Sequence, residues 1–140
     1  VTEVVVDASV AAMWVLAEPY SDKAEILLGY DKCHAPSHWL AEAVNAVWGR
    51  CYRGGISAAQ AEASAGLLLN APVSVVPIPG LIKRAMAISL GTSVTIYDSL
   101  YLALAEQRDV RMVTADEALI RRVATMPDLA RLLLWVGDLP

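Results

Sequence analysis

Phenylalanine is missing from this 140-residue chain, so four tryptophans and five tyrosines carry its whole aromatic bulk. Trp14, Trp39, Trp48 and Trp135 are therefore expected in the core or at a subunit interface rather than as platforms for nucleobases. Cysteine is scarce, and Cys33 and Cys51 fit no metal-binding or redox spacing. The two histidines, His34 and His38, are four apart, but Pro36 lies between them. They do not share a helical face, which argues against a zinc pair and leaves them as surface or partly buried residues. No apolar run approaches the ~20 residues of a membrane span. The first residues show no basic start and no cleavage site of a secretory signal. Reduced thiols in a cytoplasmic protein are the matching expectation. Glycine-rich phosphate loops and nucleophile elbows are also missing, which removes two large enzyme classes.

Charge is sparse too. Charged residues make up 19% of the chain against 56% hydrophobic, and the net charge is −4. So apolar a composition suggests that another subunit covers part of the surface, because obligate interfaces resemble a domain core. An acidic balance counts against a nucleic-acid binder at first sight. The objection weakens if several acids share one metal site, where bound cations reverse the local sign.

What is present is an alternation of strands and helices. Residues 3–6, ending in Val4-Val5-Val6, read as a buried strand. A helix from Ser9 to Leu16 follows, ended by Glu18-Pro19. Ser21 begins a second helix that Gly29 and Asp31 close. Cys33-His34-Ala35 is a short strand before Pro36. Ser37 is placed to cap a helix reaching about Arg53, with an apolar stripe of Leu40, Val44, Val47, Trp48 and Cys51. Ser57 and Gln60 form a capping box for a helix to about Leu69. Val73 to Val76 is a strand, Pro79-Gly80 opens a helix that Gly91 ends, and Thr95 begins one running to about Gln107. Met112 to Thr114 is a strand, Asp116 starts a helix to about Ala124, and residues 131–136 form a last strand at an edge. Strand–helix alternation predicts an α/β fold with a mainly parallel central sheet of about five strands flanked by helices. Nothing marks a repeat or linker, so residues 1–140 are expected to form a single domain.

Four acids stand out on this frame. Asp7 ends the first strand, Glu42 lies within the third helix, Asp98 lies at the start of a later helix, and Asp116 follows another strand. In open α/β sheets, ligands bind beyond the carboxyl ends of strands. Each acid also has an ordinary role. Asp7 and Asp116 can cap helices, and a capping box with Thr95 accounts for Asp98. Glu42, between two alanines and at no evident helix end, has only a solvated face as its bland alternative. Ser9, Asn45, Thr95, Ser99 and Thr114 are polar neighbours that could hold the acids in place.

The stretches Val5-Val6-Asp7-Ala8-Ser9, Leu40-Ala41-Glu42-Ala43-Val44-Asn45-Ala46-Val47-Trp48, Thr95-Ile96-Tyr97-Asp98-Ser99-Leu100-Tyr101-Leu102-Ala103-Leu104-Ala105 and Val113-Thr114-Ala115-Asp116 resemble the PIN-domain ribonucleases. The likeness is greatest to the VapC-type toxins of toxin–antitoxin pairs, and it covers essentially the whole chain. It implies a single PIN-like domain in which Asp7, Glu42, Asp98 and Asp116 are the acidic metal-site and catalytic positions. Thr114 matches a hydroxyl supporting the last acid, Ser9 a small polar residue beside the first, and Asn45 a supporting residue. Residues 57–90 carry only the fold. The resemblance also implies RNA as substrate, a cognate antitoxin protein that blocks the pocket, and a homodimer.

Crowded carboxylates suit hard cations. They repel one another until Mg²⁺ or Mn²⁺ relieves the repulsion, and these ions prefer oxygen ligands. Arg50 and Arg53, on the Glu42 helix, and Arg121 and Arg122, after Asp116, are candidate phosphate contacts, with Lys83 and Arg84 weaker. Glu117 could be a fifth ligand, although acids are ordinary at a helix start. The expected function is a metal-dependent endoribonuclease. The alternatives are a non-catalytic RNA- or partner-binding protein on the same fold and, less favoured, a phosphoacceptor domain using Asp7. The last would need a second acid where this chain has Ser9, and no lysine follows a late strand.

Overall fold

The computed structural model describes residues 2–140 of the chain; Val1, the first residue of the expected 1–140 domain, lies outside the described residues. Five strands make one sheet: β1 (Glu3–Val6), β2 (Lys32–Pro36), β3 (Val73–Val76), β4 (Arg111–Thr114) and β5 (Leu133–Trp135). They lie in the order β3-β2-β1-β4-β5, and every pairing is parallel. Val5 faces His34 on one side and Met112 on the other. The three central valines of β1 are buried, as their unbroken β-branched run requires of a strand covered on both faces. The expected last strand does lie at an edge.

The strand order decides where a ligand can bind. From β1 the chain winds outward through β2 and β3, then returns to add β4 and β5 on the other side. The gap between the carboxyl ends of β1 and β4 is thus the topological switch point of the sheet. Asp7 and Asp116 stand on its two sides.

The helices are α1 (Ala8–Ala11), α2 (Ser21–Ile26), α3 (Trp39–Tyr52), α4 (Ala58–Leu69), α5 (Ile82–Thr92), α6 (Ile96–Arg108), α7 (Glu117–Val123) and α8 (Pro127–Ala130). Helix α6 buries the unbroken run Ser99 to Ala105 and packs against β1, β2 and β4. Helix α4 carries the expected box, with Ser57 Oγ accepting from Gln60 N and Gln60 Oε1 accepting from Ser57 N.

Several boundaries differ from expectation for identifiable reasons. The helix expected from Ser9 to Leu16 is a single α turn followed by a 3₁₀ turn at Ala12–Trp14, where the Trp14 indole is anchored on the Ala24 carbonyl at 2.9 Å. Ser37 does not cap α3. Its N–H bonds to the Val76 carbonyl, extending the sheet by one residue, and His38 takes the N-cap position. Gly91 remains helical. Helix α5 instead ends where Ser93 enters the left-handed region at φ 63°, with the Thr92 hydroxyl accepting from Val94 N. The buried face of α3 runs through Trp39, Ala43 and Val47. Of the predicted stripe, Val47 lies on this face, Leu40 and Val44 are partly buried beside it, and Val44, Trp48 and Cys51 line a shallow groove with Ala58, Ala61 and Ala65 of α4. These small residues leave Trp48 59% exposed and stacked on Tyr52. Trp39 is in the core as expected, Trp14 and Trp135 are partly buried against it, and Trp48 lies outside the core.

Candidate acidic metal site

Asp7 is the least exposed of the four acids, at 6%. It occupies the N-cap position of α1, yet its side chain makes no capping bond. Both hydroxyl donors that reach it converge on Oδ2: Thr114 at 2.7 Å and Ser9 at 2.8 Å. The two hydroxyls are themselves held, with Ser9 Oγ accepting from Ala115 N and Thr114 Oγ1 from Asp116 N. One short network thus ties the end of β1 to the end of β4. Burial pushes the Asp7 carboxyl above its ordinary value, and the nearby Glu42 charge adds to this. The two hydroxyls oppose the shift.

Asp98 is half-buried on the first turn of α6. The Thr95 hydroxyl accepts from its backbone N–H, forming one arm of the expected box and leaving the Asp98 carboxylate out of the cap. Its carboxyl is pushed up to about 6, first by burial and then by the charges of Asp7, Asp116 and Glu42. Asp116 does cap its helix: Oδ1 accepts from Leu119 N at 3.1 Å. Asp98 and Asp116 open together into a depression of about 220 Å³, whose wall also includes Thr95 and Arg122.

Glu42 lies in the first turn of α3, not in its middle as the sequence suggested, because the helix begins two residues after Ser37. Its Oε1 accepts from the Tyr101 hydroxyl at 2.7 Å, and His38 Nε2 lies 3.3 Å away. Burial disfavours the Glu42 charge, but these two partners outweigh it and hold the carboxyl below its ordinary value. Tyr101 and His38 did not enter the sequence-based site. Helical spacing could have pointed to both, since Tyr101 follows Asp98 by three and His38 precedes Glu42 by four.

The remaining candidates are less concentrated. Asn45 is exposed and lines another depression, with Glu18, Trp48, Arg50 and Arg53, so the structure does not bring it to the acids. Arg50 is bonded to Glu18 at 2.8 Å and is partly committed to the fold. Arg121 is exposed and 3.9 Å from Glu117. Arg122 alone of the four arginines lines the Asp98–Asp116 depression. Arg84, the weaker candidate, is bound through two nitrogens to Glu106. His34 is buried and bonded to Glu3, as befits a structural histidine.

The donor set fits a hard divalent cation. It is all carboxylate oxygen, and burial, followed by the charges of Asp7, Asp116 and Glu42, pushes the Asp98 carboxyl up to about 6. Among the described residues no three acids close into a ready cage. The carboxylates are held individually: Asp7 by two hydroxyls, Asp116 by the N-terminus of α7 and Glu42 by Tyr101.

The PIN domain family model matches residues 4–125. The chain is 35% identical to Ribonuclease VapC3 of Mycobacterium tuberculosis over 123 residues, covering 85% of this chain and 86% of that one. PAE2754 of Pyrobaculum aerophilum, a crystal structure, superposes with a TM-score of 0.74 at 23% identity, covering 99% of this chain and 92% of the other. A toxin–antitoxin complex from Klebsiella pneumoniae gives a TM-score of 0.61 at 13% identity, over 94% and 95%. At these identities the two solved structures speak for the fold.

Proposed function

The chain belongs to the PIN-domain family and resembles its VapC-type ribonucleases over most of its length, and from that premise we propose that it is a metal-dependent endoribonuclease acting as the toxin of a toxin–antitoxin pair. The observation that supports this reading is that Asp7 and Asp116 follow β1 and β4 at the switch point of the sheet, and that their charges and that of Glu42 act on Asp98 of α6. Asp7 and Asp98 are the proposed main ligands, with Glu42 and Asp116 completing the set. Ser9 and Thr114 orient Asp7 from behind. Mg²⁺ or Mn²⁺ bound there would supply an acidified water and stabilisation of the leaving phosphodiester oxygen.

The chain's own residues account for the rest. The recessed acids favour single-stranded or looped RNA, whose backbone can enter a narrow depression. Arg122, which lines the depression with Asp98 and Asp116, is the proposed phosphate contact. A cognate antitoxin and a homodimer are the proposed partners. Exposed Trp48, Tyr52, Leu67, Leu69 and Leu90 supply apolar area for such contacts. The two free cysteines suit the proposed cytoplasmic setting.

The test is cleavage of RNA by the purified protein with Mg²⁺ or Mn²⁺, with EDTA, and with Asp98→Asn in parallel. Cutting by the parent, lost in both controls, is the expected result. Cutting that survives EDTA and the substitution would remove the metal-site assignment. Metal and RNA binding without turnover would favour the non-catalytic binding protein.

A further inference from the structure

Glu42 differs from the other acids in how it is held. A hydroxyl donor and an imidazole nitrogen, from two elements, meet on one of its oxygens. Tyr101, fully buried on α6, donates its hydroxyl to Oε1 at 2.7 Å. His38, at the N-cap of α3, has Nε2 at 3.3 Å from the same oxygen and at 3.1 Å from the Tyr97 carbonyl. Both neighbours of that nitrogen are acceptors, so Nε2 carries the proton. The imidazole also meets the Tyr101 ring edge-on, with centroids 5.0 Å apart. The three side chains thus form a closed triangle.

The triangle has two consequences for a ligating acid. A free glutamate must lose side-chain rotamer freedom when it binds a cation, a cost that a held glutamate has already met. Tyr101 also lies one helical turn after Asp98, so one rigid element carries one proposed ligand and holds another. From these contacts we infer that His38 and Tyr101 are positioning residues. They fix Glu42 relative to Asp98 by engaging Oε1, and so reserve Oε2 for the divalent cation. The inference rests on the metal-site reading above. Among the described residues no hydrogen bond is made to Glu42 Oε2.

The experiment is calorimetric titration with Mn²⁺ of the parent, Asp98→Asn, Tyr101→Phe, His38→Ala and His38→Gln, each also melted in EDTA. Tyr101→Phe and His38→Ala should weaken Mn²⁺ affinity roughly 10-fold, the scale of losing a partner that orients a ligand. His38→Gln keeps an N–H donor and should recover most of that loss. A purely structural role would lower the melting temperature in EDTA and leave Mn²⁺ affinity unchanged, and that result would overturn the inference. If Tyr101→Phe does not fold, the two His38 variants decide by the same criterion. Unchanged affinity in Asp98→Asn, or no Mn²⁺ binding by the parent, would instead remove the metal site on which the inference stands.

Discussion

Asp7 and Asp116 occupy matching places, each just beyond a central parallel strand and just before a helix, but the fold uses them differently. Asp116 is half-buried, and its carboxylate caps α7 through Leu119 N. Asp7 is buried, caps nothing, and is held by two hydroxyls against the cost of burying its charge. One pattern, strand–acid–helix, therefore serves stability at β4, while at β1 it places an acid that local structure does not require. A buried acid with no local structural task is the stronger pointer to chemistry.

Substitution at Asp7 should have the largest effect. Asp7→Asn retains an oxygen to accept from Ser9 and Thr114 but removes the charge. RNA cleavage should fall at least ~100-fold, about 3 kcal/mol of transition-state stabilisation. In EDTA at neutral pH its melting temperature should rise by a few °C. The folded parent holds its Asp7 and Asp98 protons more tightly than the unfolded chain, with Asp98 at about 6 against 3.8. Metal-free stability should therefore fall as pH rises from about 4 through 6, and the Asn variant should gain most above that window. Melting curves in EDTA across this range test both statements. A drop in stability at neutral pH would return Asp7 to a capping role.

At Asp116 the fold and the chemistry should separate. Asp116→Asn preserves a good cap and should leave stability within ~0.5 kcal/mol, whereas Asp116→Ala should cost about 1 kcal/mol in urea unfolding. Both should lose cleavage alike if the carboxylate is a ligand. Equal stability of the two variants would refute the cap. The smallest effect concerns the arginines. Arg122→Ala should weaken RNA binding about 5-fold and lower its log–log salt slope by about 0.7, as expected for one phosphate contact on a single strand. Arg50→Ala, already paired with Glu18, should change the slope less. Fluorescence anisotropy with labelled RNA over a salt series checks the ranking, and a larger slope change for Arg50 would reverse it.

Much of this was legible in the residues. Alternating periodicities specified the parallel α/β class, and β-branched runs bounded the strands, because strand burial and helix amphipathicity are local patterns. The α4 box at Ser57 and Gln60 was also readable, since both partners lie within one turn. The four acids could be named from spacing and resemblance. Other features depended on contacts between distant parts of the chain. Ser37 joined the sheet through Val76 instead of capping α3, which placed Glu42 in a first turn. The predicted stripe of α3 was only partly inward: Val47 is buried, while Trp48 is exposed beside the alanines of α4.

The sequence by itself determined which residues could form strands and helices and which carboxylates were available. Only the tertiary structure decided that β1 and β4 are neighbours, and hence that Asp7, Asp98 and Asp116 share a rim to which Arg122 belongs and Asn45 does not. It also decided that Tyr101 of α6 reaches Glu42 of α3 across 59 residues of chain. The physical reason is that hydrogen-bond partners and electrostatic neighbours depend on distance in space. In a crossover fold that distance is set by strand order, which no local window of sequence encodes.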